Sequence, residues 1–230
     1  MVMRDADVRE RWRSARVALL AKEKALSRMR DEIAAERRAL PRVPVEDYVF
    51  DAPAGKVTLS ALFADKSQLI IYHFMLGPNA ENPCKSCSFW AEHFDSIRVH
   101  LPHRDAELAV VSRAPIAKIE QVRERMGWRF PWVSSHASSF NQDFRVTFSK
   151  EQVGQKLYNF DTQDAWEGES PGLSAFERGE DGALFHTYST YSRGLDVLNG
   201  TYQMIDLLPK GRNEGGKGMA WVRHKDRYEA

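Results

Sequence analysis

The sequence predicts an α/β protein in which helices flank a partly parallel sheet. Two continuous apolar runs, SQLIIYHFM (67–75) and AELAVVSRA (106–114), are typical of strands that are buried on both faces. A helical pattern follows the second run over 115–127, with Pro115 near its first turn and Gly127 just past its end. Strands that alternate with helices in this way predict a layered architecture with right-handed crossovers.

The segment before these strands predicts a long helix and then a hairpin. Residues 5–40 contain no Gly or Pro, and their apolar side chains recur at helical spacings, so we expect one helix or two broken near Ala21. Such a polar helix needs a partner surface, either on its own globular body or on a second copy in a dimer. The sequence DYVFDAPAGKVTLSALF (47–63) predicts a β-hairpin that turns around Pro53 and Gly55, followed by a short helix.

The remaining elements are predicted in chain order. We expect a helix over 84–99, a short strand in RFPWVSS (129–135), a helical turn in 138–148, an irregular insertion in 155–170, an antiparallel pair of strands in 171–190 and a final amphipathic helix over 192–209. The chain is expected to comprise a helical extension (1–42), a main domain (43–209) and a polar, Gly-rich tail (210–230), in which Trp221 and Tyr228 could dock.

Composition argues against several classes of function. The 230 residues carry a formal net charge of +1, which gives no bulk attraction to nucleic acid or to a membrane surface. The longest apolar runs are far shorter than the roughly 20 residues of a membrane-spanning helix, and the charged N-terminus lacks the apolar stretch of a secretory signal. We therefore expect a cytoplasmic protein, in which a permanent structural disulfide is unexpected.

The two cysteines of the chain stand in CKSC, between a predicted buried strand and a predicted helix. A helix N-terminus favours an anion, so the thiol of Cys84 should be acidic, and Lys85 adds a positive charge nearby. Cys87 lies one turn further on, where it could resolve a mixed disulfide on Cys84. A zinc site would need two more ligands, and His93 would not share a helix face with Cys87. The pattern favours a redox dithiol over a metal site or a structural disulfide.

Several longer motifs resemble a bacterial family of thioredoxin-like proteins that are described as predicted dithiol–disulfide oxidoreductases. They span about 23–209 and include ALPRVPVEDYVFD, YHFMLGP, CKSCSFWAEHFD, VVSRAPIAKIE, MGWRFPWVSS, PGLSAFERGEDG and FHTYSTYSRGLDVLNGTY. The resemblance implies a thioredoxin-like fold of the peroxiredoxin type, with a central mixed sheet and an extra long N-terminal helix. It also implies that Cys84 is the nucleophile and Cys87 the resolving thiol of a thiol–disulfide oxidoreductase that needs no cofactor or metal.

The same resemblance points to substrate-binding positions. Thioredoxin-like proteins carry a cis-proline that faces the cysteine pair, and Pro171 matches this position, although it could also be an ordinary loop proline. Lys85 and Ser86 stand between the cysteines where thioredoxin has Gly and Pro, so the direction of the redox reaction stays open. Trp90 either packs in the core or contributes to an apolar rim around the site.

Other functions and partners remain as alternatives. The fold could serve a non-catalytic binding protein, or it could reduce peroxide, although no Thr or Ser of the peroxidase pattern precedes Cys84. The expected partners are a disulfide-containing protein or a small thiol substrate and a cellular reductant, with no nucleic acid and no membrane; a homodimer could form through the N-terminal helix. His73 could accept a proton near the sulfurs or be a core histidine, and Arg113 and Arg193 could place positive charge near the site.

Overall fold

A computed structural model describes residues 2–229, with side chains described over 6–229. The chain divides into two compact units, the first ending at Pro41 and the second beginning at Arg42. The first unit consists mainly of one continuous helix, α1 (Val2–Arg38), with no break at Ala21. Within the described residues no helix combines the length and the apolar character that a membrane crossing requires.

The second unit is built on strands and short helices. Its strands are β1 (Val43–Pro44), β2 (Val49–Ala52), β3 (Gly55–Thr58), β4 (Gln68–His73), β5 (Ala106–Ser112), β6 (Trp132–Ser134), β7 (Thr147–Phe148), β8 (Lys156–Tyr158), β9 (Gln163–Asp164), β10 (Gly168–Glu169), β11 (Gly172–Arg178) and β12 (Leu184–Tyr191). Its helices are α2 (Leu59–Leu62), α3 (Lys85–Ala91), α4 (Phe94–Arg98), α5 (Ile116–Met126), α6 (Phe140–Asp143) and α7 (Gly200–Ile205).

Eight strands form one mixed sheet, in the order β1-β12-β11-β4-β5-β6-β2-β3. The predicted buried strands β4 and β5 are parallel neighbours, paired from Gln68 with Ala106 to His73 with Val111. The β11–β12 hairpin adds antiparallel to the other edge of β4. A parallel β4–helix–β5 crossover next to an antiparallel hairpin is the thioredoxin-like arrangement, so the predicted fold class is confirmed.

The alternation of side chains along β4 separates two cores, one on each face of the sheet. Leu69 and Ile71 join one cluster with Phe140 and Phe176. Tyr72 points to the opposite face, into a second cluster that also contains Cys87. Because successive strand residues face opposite ways, the cysteine pair and His73 lie on different sides of the sheet.

The structure corrects three predictions of regular elements. The helix expected over 84–99 ends at Ala91 and resumes at Phe94. The final helix expected over 192–209 is a 3-10 segment (Ser192–Leu198) followed by α7, because the side chain of Asn199 accepts a hydrogen bond from Tyr202 N at 3.0 Å and starts a new helix. The expected insertion over 155–170 contains the short strands β8, β9 and β10.

The Gly-rich segment after Pro209 packs against the main body of the second unit. Val222 and His224 are buried, and Trp221 contacts the ring of Phe89 with the centroids 5.5 Å apart. Lys225 forms an ion pair with Glu92 at 2.9 Å. We call residues 211–228 the C-terminal strap.

Candidate functional site

The loop that follows β4 presents the cysteine pair. Ser112 Oγ donates to the carbonyl of Phe74 at 2.8 Å, which ties the start of the loop to β5. The amide of Cys84 donates to the Met75 carbonyl at 3.2 Å, which closes the loop just before α3. These bonds hold the first turn of α3 beside the carboxyl ends of the two central strands.

Cys84 occupies the N-cap position of α3 and is partly exposed. Its Sγ accepts a hydrogen bond from Cys87 N at 3.5 Å. A hydrogen bond from the Cys87 thiol, reinforced by the Cys87 and Ser86 amides, lowers the pKa of Cys84 to about 6 in spite of the opposing effect of burial. Hydrogen bonds to the charged form favour it, so Cys84 is a thiolate at neutral pH.

Cys87 is in the opposite situation, because its side chain is only 1% exposed. Its Sγ accepts a hydrogen bond from Met75 N at 3.5 Å. Burial, together with the hydrogen bond to Cys84 and the charge of that thiolate, raises the pKa of Cys87 well above its ordinary value. Both thiols are free. The pair therefore shares one proton, which stays on Cys87 and stabilises the thiolate of Cys84.

Two cavities meet at Met75, and each contains one of the two cysteines in its wall. The Cys87 cavity, of about 460 Å³, is lined by Tyr72, Met75, Ser86, Cys87, Trp90, Pro171, Ser192, Arg193, Leu195, Asp196, Tyr202, Arg212, Glu214, Gly218 and Met219. The Cys84 cavity, of about 710 Å³, is lined by Met75, Gly77, Pro78, Asn79, Ala80, Asn82, Cys84, Arg113, Phe148, Ser149, Lys150, Trp166, Glu167, Gly168 and Glu169. Both volumes fall in the range of small-molecule sites.

Of the four residues predicted to bind substrate, three line the Cys87 cavity and one lies outside both cavities. Ser86, Trp90 and Pro171 all line the Cys87 cavity. Trp90 is buried, and its Nε1 donates to the Leu195 carbonyl at 2.8 Å, so it is also part of the core. Lys85 is outside both walls and donates from Nζ to the Ala220 carbonyl at 3.1 Å, which ties it to the C-terminal strap.

The structure corrects the cis-proline expectation at Pro171. No peptide bond in the described residues is cis, so the bond between Ser170 and Pro171 is trans. The Pro171 carbonyl accepts a hydrogen bond from the hydroxyl of Tyr158, and this hydroxyl in turn accepts from Ser192 N at 3.0 Å. The backbone at Pro171 is thus bonded to an internal side chain.

His73 is not placed to accept a proton from the two cysteines. Its ring stacks on Phe140 and Phe144, on the face of the sheet opposite Cys87. Its Nε2 pairs with Ser174 Oγ at 2.8 Å, while Nδ1 is buried without a partner. Burial lowers the pKa of His73 to about 3, with a smaller effect from His186. His73 is therefore a neutral core histidine, as one of the two sequence interpretations held.

Sequence reasoning missed most of the polar residues around the two cysteines. The sequence indicated only that Arg113 could place positive charge near the site. In the structure Arg113 lies in the wall of the Cys84 cavity with Glu169. Arg193 lies in the wall of the Cys87 cavity, with Arg212 and Glu214 of the strap. For the strap the sequence did give a local signal, since Trp221 and Tyr228 were the residues expected to dock.

A metal centre has no ligand cluster in the described part of the chain. No group of three or more His, Cys, Asp or Glu side chains is arranged to hold an ion there. His93, which the zinc alternative would need as a ligand, is not in the wall of either cavity. The His93 ring instead pairs with the Thr201 hydroxyl at 3.2 Å.

Comparisons with solved structures gave distant likenesses to a peroxidoxin, a peroxiredoxin and a thiol peroxidase. Peroxidoxin BcpB from Mycobacterium tuberculosis is 14% identical, with a TM-score of 0.49 over 72% of this chain and 97% of that one. Peroxiredoxin Q from Xanthomonas campestris is 16% identical, with a TM-score of 0.46 over 68% and 90%. A thiol peroxidase from Chromobacterium violaceum is 12% identical, with a TM-score of 0.43 over 66% and 81%. The strand order given above identifies the fold independently of these values.

Comparison with curated proteins gave no match. A protein-family model described as "Bacterial protein of unknown function (DUF899)" matches residues 2–228. Since the match takes in both units and nearly the entire chain, the protein belongs to the bacterial DUF899 family.

Proposed function

We propose that the protein is a cytoplasmic thiol–disulfide oxidoreductase with Cys84 as nucleophile and Cys87 as resolving thiol. The observation that carries this proposal is the opposite shift of the two pKa values, which makes one thiol a partly exposed thiolate and keeps the other buried and protonated. An attacking thiol with a pKa near the ambient pH combines a high thiolate fraction with good nucleophilicity. A reducing cytoplasm suits a pair that must be reset after each turnover.

In the first step the Cys84 thiolate attacks one sulfur of a substrate disulfide. A bond forms between Cys84 Sγ and that sulfur, the substrate S–S bond breaks, and the other half of the substrate leaves as a thiolate. With a pKa of about 6, roughly nine-tenths of Cys84 is ionised at pH 7. This state needs no separate base to activate the nucleophile.

In the second step Cys87 releases the bound half. Burial still raises the pKa of Cys87 in the mixed disulfide, but the negative charge of Cys84, which also raised it, has been removed. The Cys87 proton passes to the thiolate that has left or to water, and the Cys87 thiolate attacks Cys84 Sγ. The second half of the substrate leaves as a thiolate, and the substrate is reduced by two electrons while the pair becomes a disulfide. A cellular dithiol reductant then returns it to two thiols.

A disulfide reductase assay coupled to dithiothreitol tests this cycle, with the Cys84→Ser and Cys87→Ser variants as a matched pair. We expect the wild type to turn over, the Cys84→Ser variant to fall to background, and the Cys87→Ser variant to accumulate a mixed disulfide that intact-mass spectrometry detects. Equal, near-background rates for the wild type and the Cys84→Ser variant would reject the proposal.

Two further measurements separate the rival functions. If the native protein reacts with a thiol-labelling reagent at Cys84 as slowly as at a buried thiol, a non-catalytic binding role replaces the proposed one. If the protein consumes hydrogen peroxide through Cys84 faster than it reduces disulfides, a peroxide-reducing activity replaces it. The proposed function expects fast labelling of Cys84 and slow consumption of peroxide.

A further inference from the structure

Arg113 presents unused hydrogen-bond donors in the wall of the Cys84 cavity. It follows directly after β5, and its side chain is 27% exposed. Its Nη1 donates to Thr147 Oγ1 at 2.8 Å and to Glu169 Oε1 at 3.1 Å. Within residues 6–229, the hydrogen bonds of this guanidinium all come from Nη1. Nε and Nη2 therefore have no partner among the described residues and are free to bind a ligand.

Glu169 fixes the position of the Arg113 side chain through a hydrogen-bonded ion pair. Its carboxylate is only 8% exposed, and three donors occupy its two oxygens. Oε1 accepts from Arg113 and from Thr147 Oγ1 at 2.9 Å, and Oε2 accepts from Asn141 Nδ2 at 3.3 Å. The negative charge is thus directed into the protein, while the guanidinium edge stays available to the cavity. Two exposed side chains of opposite charge, Lys150 and Glu167, complete the charged groups of this wall.

Access to the pair is restricted on the side of the strap. His224 Nε2 donates to the Pro83 carbonyl at 3.0 Å, and Lys85 Nζ donates to the Ala220 carbonyl, so the strap lies against the residues that flank Cys84. The Pro171 carbonyl already accepts a hydrogen bond from the Tyr158 hydroxyl, which leaves one of its two lone pairs. The strap thus limits the room for a polypeptide on this side, whereas the cavity of about 710 Å³ at Cys84 can hold a small molecule.

We propose that the substrates are small disulfides that carry a carboxylate near the sulfur, and that Arg113 binds this carboxylate while Cys84 attacks the disulfide. This inference rests on the proposed function. A guanidinium edge with two open N–H groups matches a carboxylate in a two-point geometry, which also fixes orientation. Binding of the carboxylate aligns the adjacent disulfide for the exchange described above, in which two electrons pass to the substrate.

The first test does not depend on turnover. Cys84 is alkylated with iodoacetate, which carries a carboxylate, and with iodoacetamide, which is neutral. The rate constant for iodoacetate is divided by the rate constant for iodoacetamide. A change in thiol acidity or accessibility affects both reagents alike and cancels in the ratio. We expect Arg113→Met to lower the ratio by at least about tenfold, because the variant lacks both donors of the two-point contact to the carboxylate. Arg113→Lys, which keeps the charge, should lower it less.

Arg98→Met is the matched control. Arg98 lies on α4, near Glu107 at 3.9 Å, and lines neither cavity. Its variant should leave the ratio unchanged. Because Arg113→Met leaves Glu169 with fewer donors, the double variant Arg113→Met/Glu169→Gln provides a second folded background and should show the same loss. An unchanged ratio in both Arg113→Met backgrounds, or an equal fall in Arg98→Met, would overturn the inference.

The second test compares substrates. We expect the wild type to reduce dithiodiglycolate, which is anionic, with a higher kcat/KM than neutral hydroxyethyl disulfide or cationic cystamine, and to reduce insulin most slowly. Arg113→Met should remove the preference for the anionic disulfide. Equal rates for all the small disulfides, or insulin as the best substrate, would overturn the substrate class and leave the proposed function standing. No reduction of any disulfide would reject the proposed function, while the alkylation ratio would still report on Arg113.

Discussion

Cys84 and Cys87 carry the same functional group, yet their surroundings move their pKa values in opposite directions. Cys84 is partly exposed and receives hydrogen bonds, which lower its pKa to about 6. Cys87 is buried next to that thiolate, and burial raises its pKa. The hydrogen bond from the Cys87 thiol is the largest contribution to the acidity of Cys84. Each thiol therefore determines the protonation state of the other.

The first prediction concerns the pH dependence of Cys84. Its alkylation rate by iodoacetamide should rise with pH through a midpoint near 6, because only the thiolate reacts and the pKa lies there. Cys87→Ala removes the strongest hydrogen bond and should move the midpoint upward. Mass-resolved alkylation between pH 4 and 10 measures both midpoints. A wild-type midpoint close to that of an ordinary thiol would contradict the prediction.

The second prediction concerns His73, whose folded-state pKa of about 3 lies below its ordinary value of 6.5. In the unfolded chain this histidine binds a proton below about pH 6.5, but in the folded protein it does not. The stability it contributes is therefore present above pH 6.5 and is lost as the pH falls toward 3, at up to about 1.4 kcal/mol for each pH unit.

Urea unfolding of the wild type and of His73→Phe measures this effect. The phenylalanine keeps an aromatic ring against Phe140 and Phe144, and Ser174 keeps its bond to Ser189 at 2.8 Å. The variant should lose less stability between pH 6.5 and pH 4 than the wild type. Parallel slopes for the two proteins would show that His73 does not titrate as stated.

At the scale of elements, the C-terminal strap covers α3. Trp221 contacts Phe89 and Tyr202, with ring centroids 5.5 and 6.5 Å away, and donates from Nε1 to Glu214 Oε1 at 3.0 Å. Glu214 also accepts from the Tyr202 hydroxyl at 2.7 Å. The strap is held by aromatic contacts and a shared carboxylate, and it supplies part of the wall of the Cys87 cavity.

The third prediction follows from this contact. Trp221→Ala should loosen the strap and raise the alkylation rate of Cys87 several-fold, because the loss of the ring contacts shifts a local opening equilibrium. Trp166→Ala is the matched control, since the two tryptophans are similarly exposed (41% and 37%) and Trp166 lines only the Cys84 cavity. If both variants accelerate Cys87 equally, the strap does not control its exposure.

At the scale of the whole molecule, the open question is assembly through α1. Trp12, Leu19, Leu26 and Ile33 are each seven residues apart and so lie on one face of the helix. A seven-residue apolar repeat favours supercoiling with another helix. The homodimer remains a prediction. The repeat supports it, and we expect α1 to pair with α1 of a second copy.

The fourth prediction is that the full chain has twice the mass of its 26.3 kDa protomer in light scattering. Leu26→Asp places a charge in the predicted seam and should halve the observed mass. Ser27→Asp, one residue away and off the repeat, should leave it unchanged. A wild-type mass of one protomer would contradict the dimer.

Much of the fold follows from local sequence patterns, whereas several element ends do not. The apolar runs at 67–75 and 106–114 predicted β4 and β5 because strands buried on both faces have few polar positions. Pro115 and Gly127 predicted both ends of α5. The last helix was placed too early because the periodicity of 192–209 does not show that Asn199 starts a separate helix.

For the site, local sequence patterns predicted the pair of thiols, whereas the contacts around the pair depend on the tertiary structure. CKSC after a buried strand predicted a thiol pair at the start of a helix, because strand and helix are encoded locally and fix where that junction lies. The donors of Arg113, the hydrogen bond that occupies the Pro171 carbonyl and the strap over α3 join residues 13 to 141 positions apart. No periodicity encodes such contacts, since they arise only when the strand order brings distant segments together.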